Sequence, residues 1–379
     1  LSRKEGNGIA SAAFRQITLL GSGNSLGVYV PVMQLSRQLN SRGIPTEVCV
    51  LEDLYLDHIK QRVPAYKKAF HQSFTVAKKG AELARDISDC LDSIKLRQLF
   101  EGWEREGKTR FVTATGFWLP IIQQYQLFTG GLRLEVDCLH FDAIHSPSYL
   151  VYEDISDSYN HIWFYDPAGK GMSYRIAITD EAPVPLHMRE ERYIAHGGGW
   201  GIGTYPSAVQ ELLQAGKRLS VLAYYREDIK PHEQIHYFMN DPEWSPWVKN
   251  EDGSFQFPPL ARIEYGQAPE YRNQQTYPPL FNVIRHSAAI ISKPGGYSLM
   301  ESLAAATPFV FLEPFGRHEA SNAAYWIKQG FGIWYEDWKA EGYSMDSLIR
   351  IHENLMLARN HSINYGGVLD AAQNNPEIR

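Results

Sequence analysis

At the opening of each half of this chain an apolar run leads straight into a glycine-rich turn and then a helical pattern, and that order constrains the fold more than any other feature. In the first instance residues 15–20 read as a buried parallel strand and run into Gly21-Ser22-Gly23-Asn24-Ser25-Leu26-Gly27. A helix follows, with Val28, Val32, Leu35 and Leu39 on its apolar face, and Gly43 ends it before a second β-like run over residues 46–51. In the second instance Tyr193-Ile194-Ala195 enters His196-Gly197-Gly198-Gly199-Trp200-Gly201-Ile202-Gly203-Thr204, then a helix over residues 207–215 and a strand over 219–224. Strand, glycine turn, helix and strand make the βαβ unit of a doubly wound sheet. Two such openings predict an α/β chain of two Rossmann-type domains facing across a cleft.

The length of 379 residues agrees, being too great for one ordinary core. The hydrophobic pattern lapses at Asp180-Glu181-Ala182-Pro183-Val184-Pro185, which divides the chain into residues 1–185 and 186–379, with the terminal helix expected to cross back to the first part. Within the first part, residues 55–108 read as polar helices. Strands are expected over 109–116, 132–142 and 161–165, the last stopping at Asp166-Pro167, with a helix over 118–128.

Charge and composition exclude several functions. Charged residues are 21% and the net charge is −6, which gives no electrostatic reason to bind nucleic acid or an anionic membrane. Cys49, Cys90 and Cys138 contain no Cys-x-x-Cys pair, so neither a zinc ribbon nor a dithiol is expected. No apolar run approaches the roughly 18 residues of a membrane span, and the Gly/Ser/Ala-rich stretch after residues 1–5 is too polar for a secretion signal, so no integral membrane contact is expected, and with the unpaired cysteines a cytoplasmic location.

The segment from Ala288 to Pro314 carries the strongest chemical signal. A strand enters Lys293-Pro294-Gly295-Gly296-Tyr297-Ser298, a helix starts near Ser298, and Thr307-Pro308 launches the next strand. Glycines let backbone approach an anion, and free N–H groups at a helix start can hold a diphosphate. Ser298-x-x-Glu301 also matches a capping box, in which both side chains merely satisfy the helix start. After Pro314 a polar loop over residues 315–322 precedes a helix over 323–329.

Residues 288–322 resemble the donor-binding region of GT-B-fold glycosyltransferases, especially the bacterial cell-wall N-acetylglucosaminyltransferase and the plant-type UDP-sugar transferases. The shared pattern runs through Gly295, Gly296, Ser298, Glu301, Ala306-Thr307-Pro308, Pro314, His318-Glu319 and Asn322. The resemblance implies that Gly295, Gly296 and Ser298 hold the diphosphate, Glu301 the ribose hydroxyls, and His318 and Glu319 the sugar ring, with Asn322 closing the motif. Ala306 departs from the usual Gly, His318-Glu319 from an acidic–amide pair, and Lys293 from the plant-type His. In the N-terminal unit Gly27 and Pro31 fit the family, but Val28 stands where relatives often carry a catalytic His.

A sugar transfer needs a group to take the acceptor's proton. The carboxyl end of the strand over 132–142 points to the cleft, where Asp142 and His145 are three apart; one as base and the other orienting it is the catalytic expectation, against a solvated pair or an Asx-turn. His196, Gly198 and Gly199 in the other turn are candidate donor-phosphate or acceptor contacts. Trp244 and Trp247 are candidate cleft walls or a local cluster, and Arg285-His286 a pyrophosphate contact or a surface turn.

The leading expectation is an inverting, metal-independent transferase with no resident cofactor, moving a sugar from a UDP-sugar to a small-molecule or peptide acceptor. A sugar-nucleotide epimerase on the same scaffold, or a sugar-nucleotide-binding partner protein that has lost catalysis with Val28, are the alternatives. A nicotinamide or flavin enzyme is disfavoured, because Gly21-x-Gly23-x-x-x-Gly27 is one residue longer than the dinucleotide fingerprint.

Overall fold

The computed structural model describes residues 16–82, 85–166 and 171–374. Arg15, at the head of the expected first strand, and Pro167, at the end of another, lie outside the described residues.

The first sheet is built from β1 (Ile17–Gly21), β2 (Thr46–Val50), β3 (Arg110–Thr113), β4 (Glu135–His140) and β5 (Asn160–Trp163), all parallel in the order β2-β1-β3-β4-β5. Every residue of β1 is buried, because helices cover both faces of a parallel sheet. The helix Leu26–Ser41 crosses from β1 to β2 and buries Val32, Leu35 and Leu39, while Val28 is half-buried. Gly43 takes φ +79° directly after it, a left-handed turn that releases the chain into β2. The opposite face carries an aromatic core of Trp103, Phe111, Trp118 and Tyr125.

The short strand β6 (Tyr174–Arg175) finds its partner near the far end of the chain. The second sheet then forms from β7 (Arg192–Ala195), β8 (Arg218–Ala223), β9 (Ile235–Asn240), β10 (Leu260–Ile263), β11 (Ile290–Ser292), β12 (Phe309–Phe311) and β13 (Gly332–Trp334). Its order is β10-β9-β8-β7-β11-β12-β13, parallel except for β10 at the edge. Finally β14 (Ile363–Asn364) pairs with β6, and the terminal helix Tyr365–Asn374 packs on the helix Leu26–Ser41. There the Tyr365 hydroxyl donates to Asp137 of β4, which also pairs with Arg110.

Strand order reverses between β1 and β3 in one sheet and between β7 and β11 in the other. Loops leaving the carboxyl ends of strands at such points form ligand crevices, and here they are the glycine turns. Contacts between the halves hold these ends together: His71 bonds to the Gly201 carbonyl at 2.9 Å and Asp228 at 3.0 Å, and Tyr29 packs edge-on against Trp244. Among the described residues no helix is long and apolar enough to cross a membrane.

Candidate functional site

A cleft of about 470 Å³ opens where the two switch points meet. One wall carries Ser22, Asn24, Thr115, His140, Phe141 and Asp142; the other carries His196, Gly198, Gly199, Lys293, Gly295, Gly296, Ser298 and Glu301.

Two of the glycine turns at this cleft, those after β1 and after β11, differ in what occupies them. In the first, Glu52 follows β2 and turns its fully buried carboxylate into the turn. It accepts hydrogen bonds from the Ser22 hydroxyl at 2.6 Å, the Gly23 N–H at 2.6 Å and the Asn24 N–H at 3.0 Å. Burial raises the Glu52 pKa, and those donors only partly offset it. This anion-binding turn is therefore filled by the chain itself.

The turn after β11 is open. The helix Gly296–Ala305 starts with Gly295 as its N-cap and, among the described residues, has no side-chain cap and no backbone acceptor for the N–H groups of Gly296, Tyr297 and Ser298. Ser298 is the third helical residue and Glu301 the sixth, so the capping box does not form. Glu301 is buried and makes no hydrogen bond among the described residues; burial raises its carboxyl pKa to about 8. A buried carboxylate without donors in a cleft is a costly arrangement that a ligand's hydroxyls would relieve.

Around this helix start stand His196 and Lys293. His196 Nδ1 accepts the Gly198 N–H at 3.1 Å, so the proton sits on Nε2, which is buried and has no partner among the described residues. Burial and the neighbouring Lys293 lower its pKa to about 4, keeping the ring neutral with one N–H to give. Gly198 has φ +71°, and Tyr224 fixes the loop by donating to the Gly198 carbonyl and accepting the Gly197 N–H. The Lys293 ammonium lies between the loops, 3.6 Å from where a Cβ on Gly198 would fall and 3.5 Å from one on Gly295. It pairs with Glu319, whose other oxygen accepts the Phe315 N–H at 2.7 Å.

Asp142 reaches this site from the loop after β4. A Cβ on Gly296 would overlap the Phe141 carbonyl oxygen and lie 3.1 Å from Asp142 Oδ1, so glycine is what lets the two halves meet here. Burial raises the Asp142 pKa, against the pull of His318 and an Asn322 hydrogen bond.

Several expectations change. Residues 317–322 form the first turns of the helix Arg317–Lys328, capped at Gly316, instead of a loop; His318 and Glu319 still line the cleft. Asn322 does not line it: its amide donates to Asp142 Oδ1 at 2.7 Å and the Pro294 carbonyl at 3.0 Å, and its oxygen accepts the Ala143 N–H at 2.7 Å. It ties the two halves together. His145 is not oriented on Asp142 and is outside the cleft lining; its ring packs on His140 and Trp163, both at 4.9 Å. Trp244 and Trp247 pack with Tyr29, Met33 and Phe255 as a cluster between the halves, and Arg285 pairs with Glu181 away from the cleft. Glu52 was missed because its partners lie about 30 residues upstream.

No protein-family model matches this chain, and no curated protein matches it in sequence. Solved structures do match in shape. The glycosyltransferase SsfS6 of Streptomyces sp. SF2575, complexed with thymidine diphosphate, aligns over 95% of this chain and 99% of its own at 11% identity and a TM-score of 0.55. MurG of Acinetobacter baumannii aligns over 95% and 99% at 12% identity and 0.52. The glycosyltransferase SnogD of Streptomyces nogalater aligns over 94% and 98% at 12% identity and 0.50. Together with the strand orders, these similarities give the chain the GT-B fold.

Proposed function

We propose that this chain is a glycosyltransferase that moves a sugar from a nucleoside diphosphate sugar, a UDP-sugar, to a small-molecule or peptide acceptor. Residues 186–379 form the donor half and residues 1–185 the acceptor half. The observation that carries the reading is the uncapped start of the helix Gly296–Ala305 beside the unpaired, buried Glu301 at a switch point of the second sheet. Donor groups fit term by term. The diphosphate meets the free N–H groups, the Lys293 ammonium and His196 Nε2–H, and the ribose hydroxyls donate to Glu301.

Asp142 is the base of this reading. It takes the acceptor's hydroxyl proton while that oxygen bonds to the anomeric carbon and the bond to the diphosphate oxygen breaks. One in-line displacement inverts the anomeric centre. The departing diphosphate's charge falls on donors already fixed in place, so the reaction needs no metal at that position. A carboxyl with a raised pKa suits this task, being a stronger base than an exposed aspartate.

Calorimetry with UDP-, TDP- and other nucleotide sugars, followed by assays of hydrolysis and transfer, tests the reading. Asp142→Asn is expected to lower kcat by roughly 10²–10⁴ with UDP affinity little changed. Absence of any nucleotide-sugar binding would overturn the proposal. Binding with interconversion of two sugars, or with no turnover, would move it to the epimerase or the binding protein.

A further inference from the structure

Away from the donor turn, three histidines converge at the carboxyl end of the first sheet. His140 ends β4, His161 lies on the adjacent β5, and His145 comes from the loop between them; one ring nitrogen of each lies within 4.8 Å of the other two. His161 Nε2 is 3.0 Å from the Ser156 carbonyl oxygen. A carbonyl can only accept, so that nitrogen holds the proton and His161 Nδ1 offers a lone pair. This lone pair faces His140 Nε2 at 2.7 Å.

A plain hydrogen bond between these two rings accounts for that one contact and leaves the rest unexplained. His140 is 2% exposed, and its Nδ1 is buried with no partner among the described residues. His145 makes no hydrogen bond among the described residues, yet is held edge-on to His140 and 5.7 Å from His161 between ring centroids. Trp163 and Tyr149 wall the cluster, their rings 4.1 and 4.3 Å from that of His140. Among the described residues His140 Nδ1 and both nitrogens of His145 are thus unclaimed, and the His161 Nδ1 lone pair has only the neighbouring imidazole as its partner.

We propose that His140, His145 and His161 bind a borderline divalent cation of the zinc type on the acceptor side of the cleft. Three imidazoles, with neither carboxylate nor thiolate among them, suit zinc, nickel or copper and not magnesium or calcium. The Ser156 carbonyl on His161 is the outer partner that orients a ligating imidazole. Three protein ligands leave a coordination position free. Such an ion would pin the loop after Asp142 to β5, and the proposal stands independently of the sugar-transfer reading.

The test uses the full chain without a polyhistidine tag, stripped by a chelator and titrated with Zn²⁺, Co²⁺ and Mg²⁺. Expected are a single Zn²⁺ per chain with a raised Tm, visible Co²⁺ bands of a nitrogen-ligated site of low coordination number, and no Mg²⁺ effect. His145→Ala and His161→Gln should each weaken Zn²⁺ binding roughly tenfold or more, while exposed His58→Ala leaves it unchanged. Circular dichroism of the stripped variants separates lost ligation from lost folding. No stoichiometric Zn²⁺, or equal binding in wild type and a folded His145→Ala chain, would overturn the proposal.

Discussion

The two glycine turns that face each other across the cleft are alike in sequence pattern and opposite in state. The turn after β1 gives its donors to Glu52, an acid from the chain itself; the turn after β11 keeps three N–H groups free and sets an acid without donors beside them. A glycine turn before a helix therefore specifies a place for an anion, and distant residues decide whether the protein or a ligand supplies it. In this molecule one turn is filled by an acid of the chain, and the other is the proposed place of a ligand's anion.

Removing the internal anion is expected to have the largest effect on stability. Glu52→Ala leaves a buried hydroxyl and two N–H groups without an acceptor, each costing about 1–3 kcal/mol, so chemical denaturation should show a loss of about 3 kcal/mol or more. UDP affinity of the folded fraction should stay within roughly threefold, since the proposed donor site is the turn after β11. Retained stability would mean that the first turn does not need its acid, and the contrast would collapse.

Glu301→Ala should invert that result. UDP binding measured by calorimetry should weaken roughly 10–150-fold, the worth of hydrogen bonds to a charged group at about 1.5–3 kcal/mol. Stability should hold or rise, because an unpaired buried carboxyl is removed. A loss of stability with intact binding would place Glu301 among the structural acids with Glu52.

The same carboxyl gives a pH test. Its folded pKa of about 8 lies above the ordinary 4.5, so the folded chain holds a proton that the unfolded chain releases. The stability it contributes is complete below about pH 4.5 and is lost as pH rises through about 8, so the Tm advantage of Glu301→Gln should grow across that window. Ribose hydroxyls favour the ionised form, so UDP affinity should rise about tenfold from pH 7 to 9, with proton release seen as a buffer-dependent binding enthalpy. A flat profile would mean that Glu301 does not meet the ligand.

The turn after β11 was legible because its signal is contiguous: strand, glycines, helix and the following strand all lie within residues 288–314. The sheets were legible for the same reason wherever apolar runs were dense, as at β1, β3, β7 and β11. Pairings between distant segments were not. Glu52 meets Ser22 only once β1 and β2 lie side by side, and the loop after Asp142 carries His145 back over β5, where a three-residue spacing suggested a pair. The strand β9 and the edge strand β10 went unread because one alternates half-buried positions and the other follows a proline-rich segment. At Arg317–Lys328 the run of His318, Glu319 and Asn322 read as a polar loop, although Gly316 before it is an acceptable cap and Glu319 suits a first helical turn.

Ser298 offers the smallest and most discriminating test of whether the second turn is open. Its side chain is 9% exposed, makes no hydrogen bond among the described residues, and sits at the third position of a helix whose cap is Gly295. If it serves the ligand, Ser298→Ala should weaken UDP binding by about 0.5–1.5 kcal/mol, roughly two- to twelvefold, at constant Tm. A capping side chain behaves otherwise: its loss should cost about 1 kcal/mol of stability and leave UDP affinity alone. Calorimetry and thermal unfolding on one variant therefore separate the two roles, because the affected quantity differs even though the energies are similar.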